Sequence, residues 1–518
     1  MRATSTDQTA IIVRIPAESP ALAANEPAVW KPTAEDQPAE PEPLRNPRLT
    51  MLAWLLPMLV LAGIGSWGLA TPGLSEDELA TWGMVSIGWT DFREVMANVD
   101  ATVGPYYVVE RLWVALVGDS DLLLRLPSLL FAVGAAGLVA AIGIRLGGRR
   151  VGLAAGLIFA VLPGVSRYAQ DARPYALVLL AAAWSTYALL RLLDRPRAAA
   201  YLQYALAVLL LGSAHVVALL LLLAHLLIVV RTERDRRVRL SWAGAAFVGL
   251  SPVLPMLYLG GAQSGSQIGW IPPLSWDRLA ETPDRLFGAT IVAGAVLALA
   301  LSALSLRPPA QVATIWALVP AAGLAVAALV TPLWVPRYLL FVVPAWALLA
   351  SMALRRLTVL RGLVAVLGIA VVAVPAQQAV RTSYGHDFAS RDISLIVRSH
   401  RAPGDAVLFG PFTDGDQRTS RDAFMRYLSP TERPADKLMA RPPRTGGTLG
   451  AQECPDREVP SCFGSPARVW VIRKGSYPNI LQNIGAAKEQ LLRTSFVQSQ
   501  TWSVKGFTIA LYSRKPTA

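Results

Sequence analysis

"LTMLAWLLPMLVLAGIGSWGLATPGLSEDELATWG", residues 49–83, runs from an apolar segment straight into three consecutive carboxylates, Glu76, Asp77 and Glu78. The apolar part is long enough to span a bilayer, which takes about 20 residues. Charge at the mouth of a bilayer is costly and needs a reason. The three side chains either stay solvated, cap the start of a helix, or carry chemistry.

The rest of the chain has the same membrane character. Of 518 residues, 53% are hydrophobic and only 16% charged, the composition of a polytopic α-helical membrane protein. Further spans are expected near 125–145, 150–166, 174–192, 198–212, 214–231, 241–259, 287–306, 311–330, 336–354 and 358–377, about 11 with the first. The 198–212 and 214–231 pair reads either as one bent helix or as two short ones. Residues 1–49, rich in Ala, Pro, Glu and Thr, bury too little to offset ordering and read as a disordered tail. The first span begins too far into the chain for a cleavable signal peptide.

The net charge of +13 does not point to nucleic acid, because the basic residues sit in the turns between apolar runs. They fix orientation instead. With the N-terminus inside, Arg145, Arg149, Arg150, Arg191, Arg195, Arg197, the run "RTERDRRVRL" (231–240), Arg307, Arg355, Arg356 and Arg361 are all cytoplasmic. Residues 71–124 then form an external loop of the 50–379 membrane domain, and 380–518 lie outside as well.

In that loop "GPYYVVERLWVALVG" (104–118) starts with Pro105, suited to a helix start, and reads as a helix on the membrane surface with Tyr106, Tyr107 and Trp113 at headgroup level. In the tail, "RDISLIVRSHRAPGDAVLFGP" (391–411) reads as helix, turn and buried strand, and 467–474 and 506–515 as two more strands. This is a small extracytoplasmic α/β domain. Cys454 and Cys462, eight positions apart in an exported segment, are expected to form a disulfide.

Three polar groups meet on the outer face: Glu76-Asp77-Glu78 with Asp100; "RYAQDARPYAL" (167–177), with Arg167, Asp171, Arg173 and Tyr175; and "VPRYLLFVVP" (335–344), with Arg337 and Tyr338. Separately, each has a plain structural reading: solvated charge, an Arg–Asp turn, an interfacial anchor. Together they suit a lipid-linked phosphate substrate. Arginine holds phosphate through a planar fork and keeps its charge, and a carboxylate beside it can take a proton from an attacking hydroxyl.

This pattern resembles the GT-C-fold glycosyltransferases of the protein mannosyltransferase and aminoarabinose transferase superfamily, in its bacterial family 39-like branch. The resemblance rests on Asp77-Glu78, "GDSDLLLRLPS" (118–128), "YAQDARPYAL" (168–177), "GSAHVV" (212–217) and "PRYLLFVVP" (336–344), and covers roughly 50–377. It implies a GT-C fold, with Asp77 as catalytic base and Glu78 shaping the acceptor site. Arg173, Arg337 and Tyr338 would hold the donor phosphate with Arg167 beside them, and Tyr106, Tyr107, Asp171 and Tyr175 would be acceptor-side or structural. Asp100, a further catalytic candidate, falls where relatives carry an aspartate followed by a histidine, and here Val103 stands in the histidine's place.

The implied reaction takes a sugar, mannose being the commonest in related bacterial proteins, from a polyprenyl-phosphate donor to an envelope glycan, lipid or protein. The resemblance fixes no cofactor. A divalent metal is compatible with the family, but no ligand set stands out. A transporter would carry ionisable groups at mid-membrane and internal repeats, for which only His215 and His225 are candidates. A non-catalytic assembly factor or glycan-binding protein is the other alternative.

Overall fold

The computed structural model describes residues 47–411 and 416–516. The tail read as disordered therefore lies outside the described residues, except for its last three positions, which begin α1 (Pro47–Ser66). A proline is accommodated there because the first helical amides have no intrahelical partner.

The external segment folds as α2 (Glu76–Val85), α3 (Trp89–Asn98) and α4 (Gly104–Val117). α5 (Asp121–Gly147) follows, then a pair bent by 66°, α6 (Arg149–Val161) and α7 (Pro163–Ala169), then α8 (Tyr175–Asp194). α9 (Ala198–Ala214) and α10 (Leu221–Thr232) are separate short helices that break at His215, which settles the choice left open for that pair. α11 (Arg236–Leu250) and α12 (Leu254–Gln267) run on as one apolar stretch, whereas α13 (Trp276–Phe287) and α14 (Thr290–Ser302) bend by 92°. α15 (Gln311–Val330), a 3₁₀ turn over Pro336–Val342 leading into α16 (Val343–Leu354), and α17 (Val359–Val380) complete the bundle.

Each expected apolar segment falls on helix. Among the described residues seven stretches are long and apolar enough to cross a membrane, or nine if each bent pair is one span, and α9 and the 216–232 segment are shorter apolar helices. α5 and α6 pack backbone to backbone: a Cβ on Gly143 would sit 2.7 Å from the Gly152 Cα. Small residues permit such approach in a bilayer, where dispersion and not water drives packing.

The tail contains α18 (Ser390–His400), β1 (Ala406–Phe409), α19 (Asp416–Tyr427), β2 (Ala435–Asp436), β3 (Met439–Arg441), β4 (Gln452–Glu453), α20 (Val459–Phe463), β5 (Arg468–Lys474), α21 (Ala486–Ser495), β6 (Phe496–Val504) and β7 (Phe507–Arg514). The sheet order is β2-β1-β5-β7-β6, with β1 parallel to β2 and β5 and the remainder antiparallel. α18 and α19 cover one face and α20 and α21 the other. Cys454 and Cys462 are joined as a disulfide.

The tail is not an appended module. Leu74, Leu79 and Val85 share one hydrophobic core with Phe409, Phe424 and Trp470, so α2 belongs to the packing of the α/β sheet as much as to the bundle.

Candidate active site

The site is built on the first turn of α2. Ser75 and Glu78 form a capping box: the Ser75 Oγ accepts from the Glu78 N–H at 3.3 Å and the Glu78 Oε2 accepts from the Ser75 N–H at 2.9 Å. The motif satisfies two amides that a helix start leaves orphaned. It also fixes the phase of the helix, and neighbouring residues then point about 100° apart.

The three carboxylates therefore part company. Glu76 turns to the α/β domain, where Lys474 Nζ donates to both its oxygens at 2.7 and 2.6 Å and Thr419 Oγ1 donates at 3.0 Å. Glu78 turns inward and is fully buried. Arg125 clamps it, Nε donating at 2.6 Å and Nη2 at 2.8 Å, and the Ala172 N–H donates at 3.0 Å. Asp77 alone of the three makes no side-chain hydrogen bond among the described residues, and its side chain is 38% exposed. Glu78, expected to shape the acceptor site, is thus sealed off from solvent and holds the helix start in place.

Around Asp77 stand cations. Arg337 Nη2 lies 3.7 Å from the carboxylate, while its Nε donates to the Tyr175 hydroxyl at 2.8 Å. The Arg337 guanidinium faces the Trp270 ring at 5.4 Å and Tyr338 at 6.0 Å, and His215 packs against Tyr338 at 4.8 Å. Arg173 Nη1 donates to the Tyr107 hydroxyl at 3.1 Å, which in turn donates to Asp100 Oδ2 at 3.0 Å. Burial would raise the Asp77 carboxyl, but Arg173, Arg337, Arg418 and Arg167 outweigh it and hold it below the ordinary value.

Several assignments shift. Tyr106 and Tyr107, expected at headgroup level, lie on the buried face of α4; its exposed face carries Val109, Leu112, Leu116 and Val117. The Tyr106 hydroxyl lies 3.4 Å from the Ser128 Oγ. Asp100, in the left-handed region at φ 61° that aspartate tolerates better than most residues, meets Tyr107. Arg167 pairs at 3.5 Å with Asp171, whose carboxyl is raised to about 6 because burial and then the Glu78 and Asp77 charges outweigh Arg167.

Residues without an expected role also converge here. Arg125 and His386 pack on Glu78, and Arg418 reaches Glu76 at 3.4 Å. Glu110, buried and with both oxygens unpartnered among the described residues, has its carboxyl raised by burial to about 8.

Glu78, Asp171 and His386 present ligand atoms within 4.8 Å of one another, a spacing compatible with a metal. The chemistry does not fit one. Both Glu78 oxygens are already taken by Arg125, and a dication would share the pocket with that buried guanidinium.

The model of the family described as dolichyl-phosphate-mannose-protein mannosyltransferase matches residues 103–259. The crystal structure of ArnT from Cupriavidus metallidurans in the apo state is similar in fold at a TM-score of 0.57, with 14% identity over 89% of this chain and 98% of that one. The same protein bound to undecaprenyl phosphate gives a TM-score of 0.56 at the same identity and coverage. No curated protein matches this chain by sequence at significance. Its apolar spans make this chain a multi-pass membrane protein, its fold is similar to that of ArnT, and residues 103–259 match the mannosyltransferase family model.

Proposed function

We propose that the chain transfers a sugar from a polyprenyl-phosphate donor to an envelope acceptor on the outer face of the membrane, with Asp77 as general base. One observation carries the reading: of three adjacent carboxylates, only Asp77 is left unbonded, part-exposed and faced by Arg337 at 3.7 Å. The structurally similar ArnT has been solved with undecaprenyl phosphate, which supports a lipid phosphate as the leaving group.

In this reading the acceptor oxygen attacks the anomeric carbon while its proton passes to Asp77. The bond from the anomeric carbon to the phosphate oxygen breaks, and the electron pair leaves on polyprenyl phosphate, where Arg337 and Arg173 neutralise it. A single displacement inverts the anomeric centre. Tyr175, hydrogen-bonded to Arg337, and Tyr338, whose ring the guanidinium faces, orient the cation. The cations that depress Asp77 also tie base strength to donor binding. When phosphate occupies Arg337 and Arg173 their pull on Asp77 is shared, so its proton affinity rises with the donor in place.

The test is transfer from radiolabelled polyprenyl-phosphate sugars in membranes containing the protein, with polyprenyl-phosphate mannose as the first donor. Label moving to an envelope product only when the protein is present is the expected result. Transfer of another sugar would replace mannose and keep the reaction, and no transfer from any lipid-phosphate sugar would overturn the proposal.

A further inference from the structure

Three helix ends meet at the side of the bundle away from Asp77. α5 and α8 finish there and α9 begins, enclosing a cavity of about 560 Å³ lined by Arg145, Tyr187, Arg191, Asp194, Arg195 and Arg197. The opposite end of α8 carries Tyr175 and belongs to the candidate active site. The two places are thus a span apart, ~30 Å for a helix of 20 residues.

Charge in this cavity is unbalanced. Four guanidiniums share one carboxylate, and Arg145 takes it by pairing with Asp194. Arg191, Arg195 and Arg197 make no side-chain hydrogen bond or ion pair among the described residues. The start of α9 opens into the same space through Ala199 and Ala200, and its N-cap residue, Arg197, offers no side-chain acceptor. Below it the same helix exposes Leu202 and Leu206, 60% and 47% accessible, an apolar strip running on from the cavity.

Membrane topology asks only that such turns be basic. It does not ask that three helix ends gather a surplus of three positive charges around a cavity with an apolar strip leading from it. We infer that this cavity binds the phosphate of an anionic phospholipid, with acyl chains along Leu202 and Leu206. Basic pockets between membrane helices are suited to such headgroups, and arginine forks match phosphate geometry. The helix start adds favourable dipole charge.

The experiment uses the full chain in nanodiscs of phosphatidylcholine with a minor share of phosphatidylglycerol, followed by release into detergent and native mass spectrometry of retained lipid. Arg195→Gln with Arg197→Gln removes two exposed, unpartnered charges and leaves the helices intact. Arg355→Gln with Arg356→Gln removes the same charge from another exposed turn as a control. The expected result is selective retention of phosphatidylglycerol by the wild type and the control, and a several-fold loss in the cavity variant. Equal loss in variant and control, or no preference for phosphatidylglycerol in the wild type, would overturn the inference. A second arm titrates inorganic pyrophosphate onto protein in phosphatidylcholine discs. Saturable binding that depends on Arg195 and Arg197, without lipid retention, would assign the cavity to a soluble anion and overturn the lipid reading.

Discussion

Asp77 is pulled two ways, by burial that favours the neutral acid and by the guanidiniums of Arg173 and Arg337 that favour the anion. The anion is the form a general base needs. Asp77→Asn keeps the shape and removes proton acceptance, so the rate of transfer at saturating donor should fall by about 10²–10⁴-fold. Membrane abundance should hold, since no hydrogen bond is lost; an Asn variant keeping a tenth of the activity would remove Asp77 from the role. Glu110 presents the opposite balance, a carboxyl that burial raises to about 8. The fold keeps it protonated where the unfolded chain, titrating near its ordinary value of about 4.3, has released the proton. Its stabilising contribution is complete at low pH and is lost as pH rises from that value through 8. Melting curves between pH 5 and 9 should show the wild type losing stability with rising pH more steeply than Glu110→Gln, and equal slopes would reject the assignment. Asp77 was legible in the sequence because three carboxylates after a span demand a reason. Arg125 and His386 were not, because 47 and 308 residues separate them from Glu78, and only the fold brings them together.

The helix α2 is held from both sides. The bundle grips it through the buried Glu78–Arg125 pair. The α/β domain grips it through Glu76 and through Gly83, where an added Cβ would fall 2.0 Å from the Arg444 guanidinium that pairs with Asp422. These grips differ in energetic kind. Removing one charge of a fully buried pair strands the other and costs about 3–5 kcal/mol, so Glu78→Gln should lower the yield of folded protein and its melting temperature together. Normal stability with reduced activity would instead restore an acceptor role for Glu78. The Glu76–Lys474 pair is about a quarter exposed on each side, and pairs of this kind are worth about 0.2–1 kcal/mol. Glu76→Lys should therefore fold but misplace Asp77, lowering the turnover number with little change in donor KM. Adding Lys474→Glu should recover part of the loss, and failure of the swap at equal abundance would argue against a positioning clasp. Elements with a buried apolar rhythm, such as β5 and β7, were readable in advance. β6 was not, because this edge strand is mostly exposed and its polar residues give no core-facing signal.

At the scale of the molecule, the apolar segments told where the helices lie, but nothing in hydropathy told of the 66° and 92° bends. Nor did it tell that the α/β core continues into α2. Composition marks what leaves water; it does not mark which surfaces then meet. The structure does show that the bundle has two unlike ends. At one, Asp121 at the start of α5 is bound by Arg391 and Arg426 of the α/β domain, close to the carboxylates of α2. At the other, α5 and α8 end among Arg145, Arg191 and Arg195. The positive-inside rule acts on short turns near span ends, so the arginine end should be cytoplasmic and the Asp77 end external. The disulfide between Cys454 and Cys462 is consistent with that side, since such bonds persist in oxidising compartments. A reporter that is enzymatically active only outside the membrane should be active when fused after Ala518 and silent when inserted in the 233–235 turn between α10 and α11. The reverse pattern, with both fusions stable, would put Asp77 in the cytoplasm. Donor and acceptor would then have to be sought there, and the arginine surplus would lose its topological explanation.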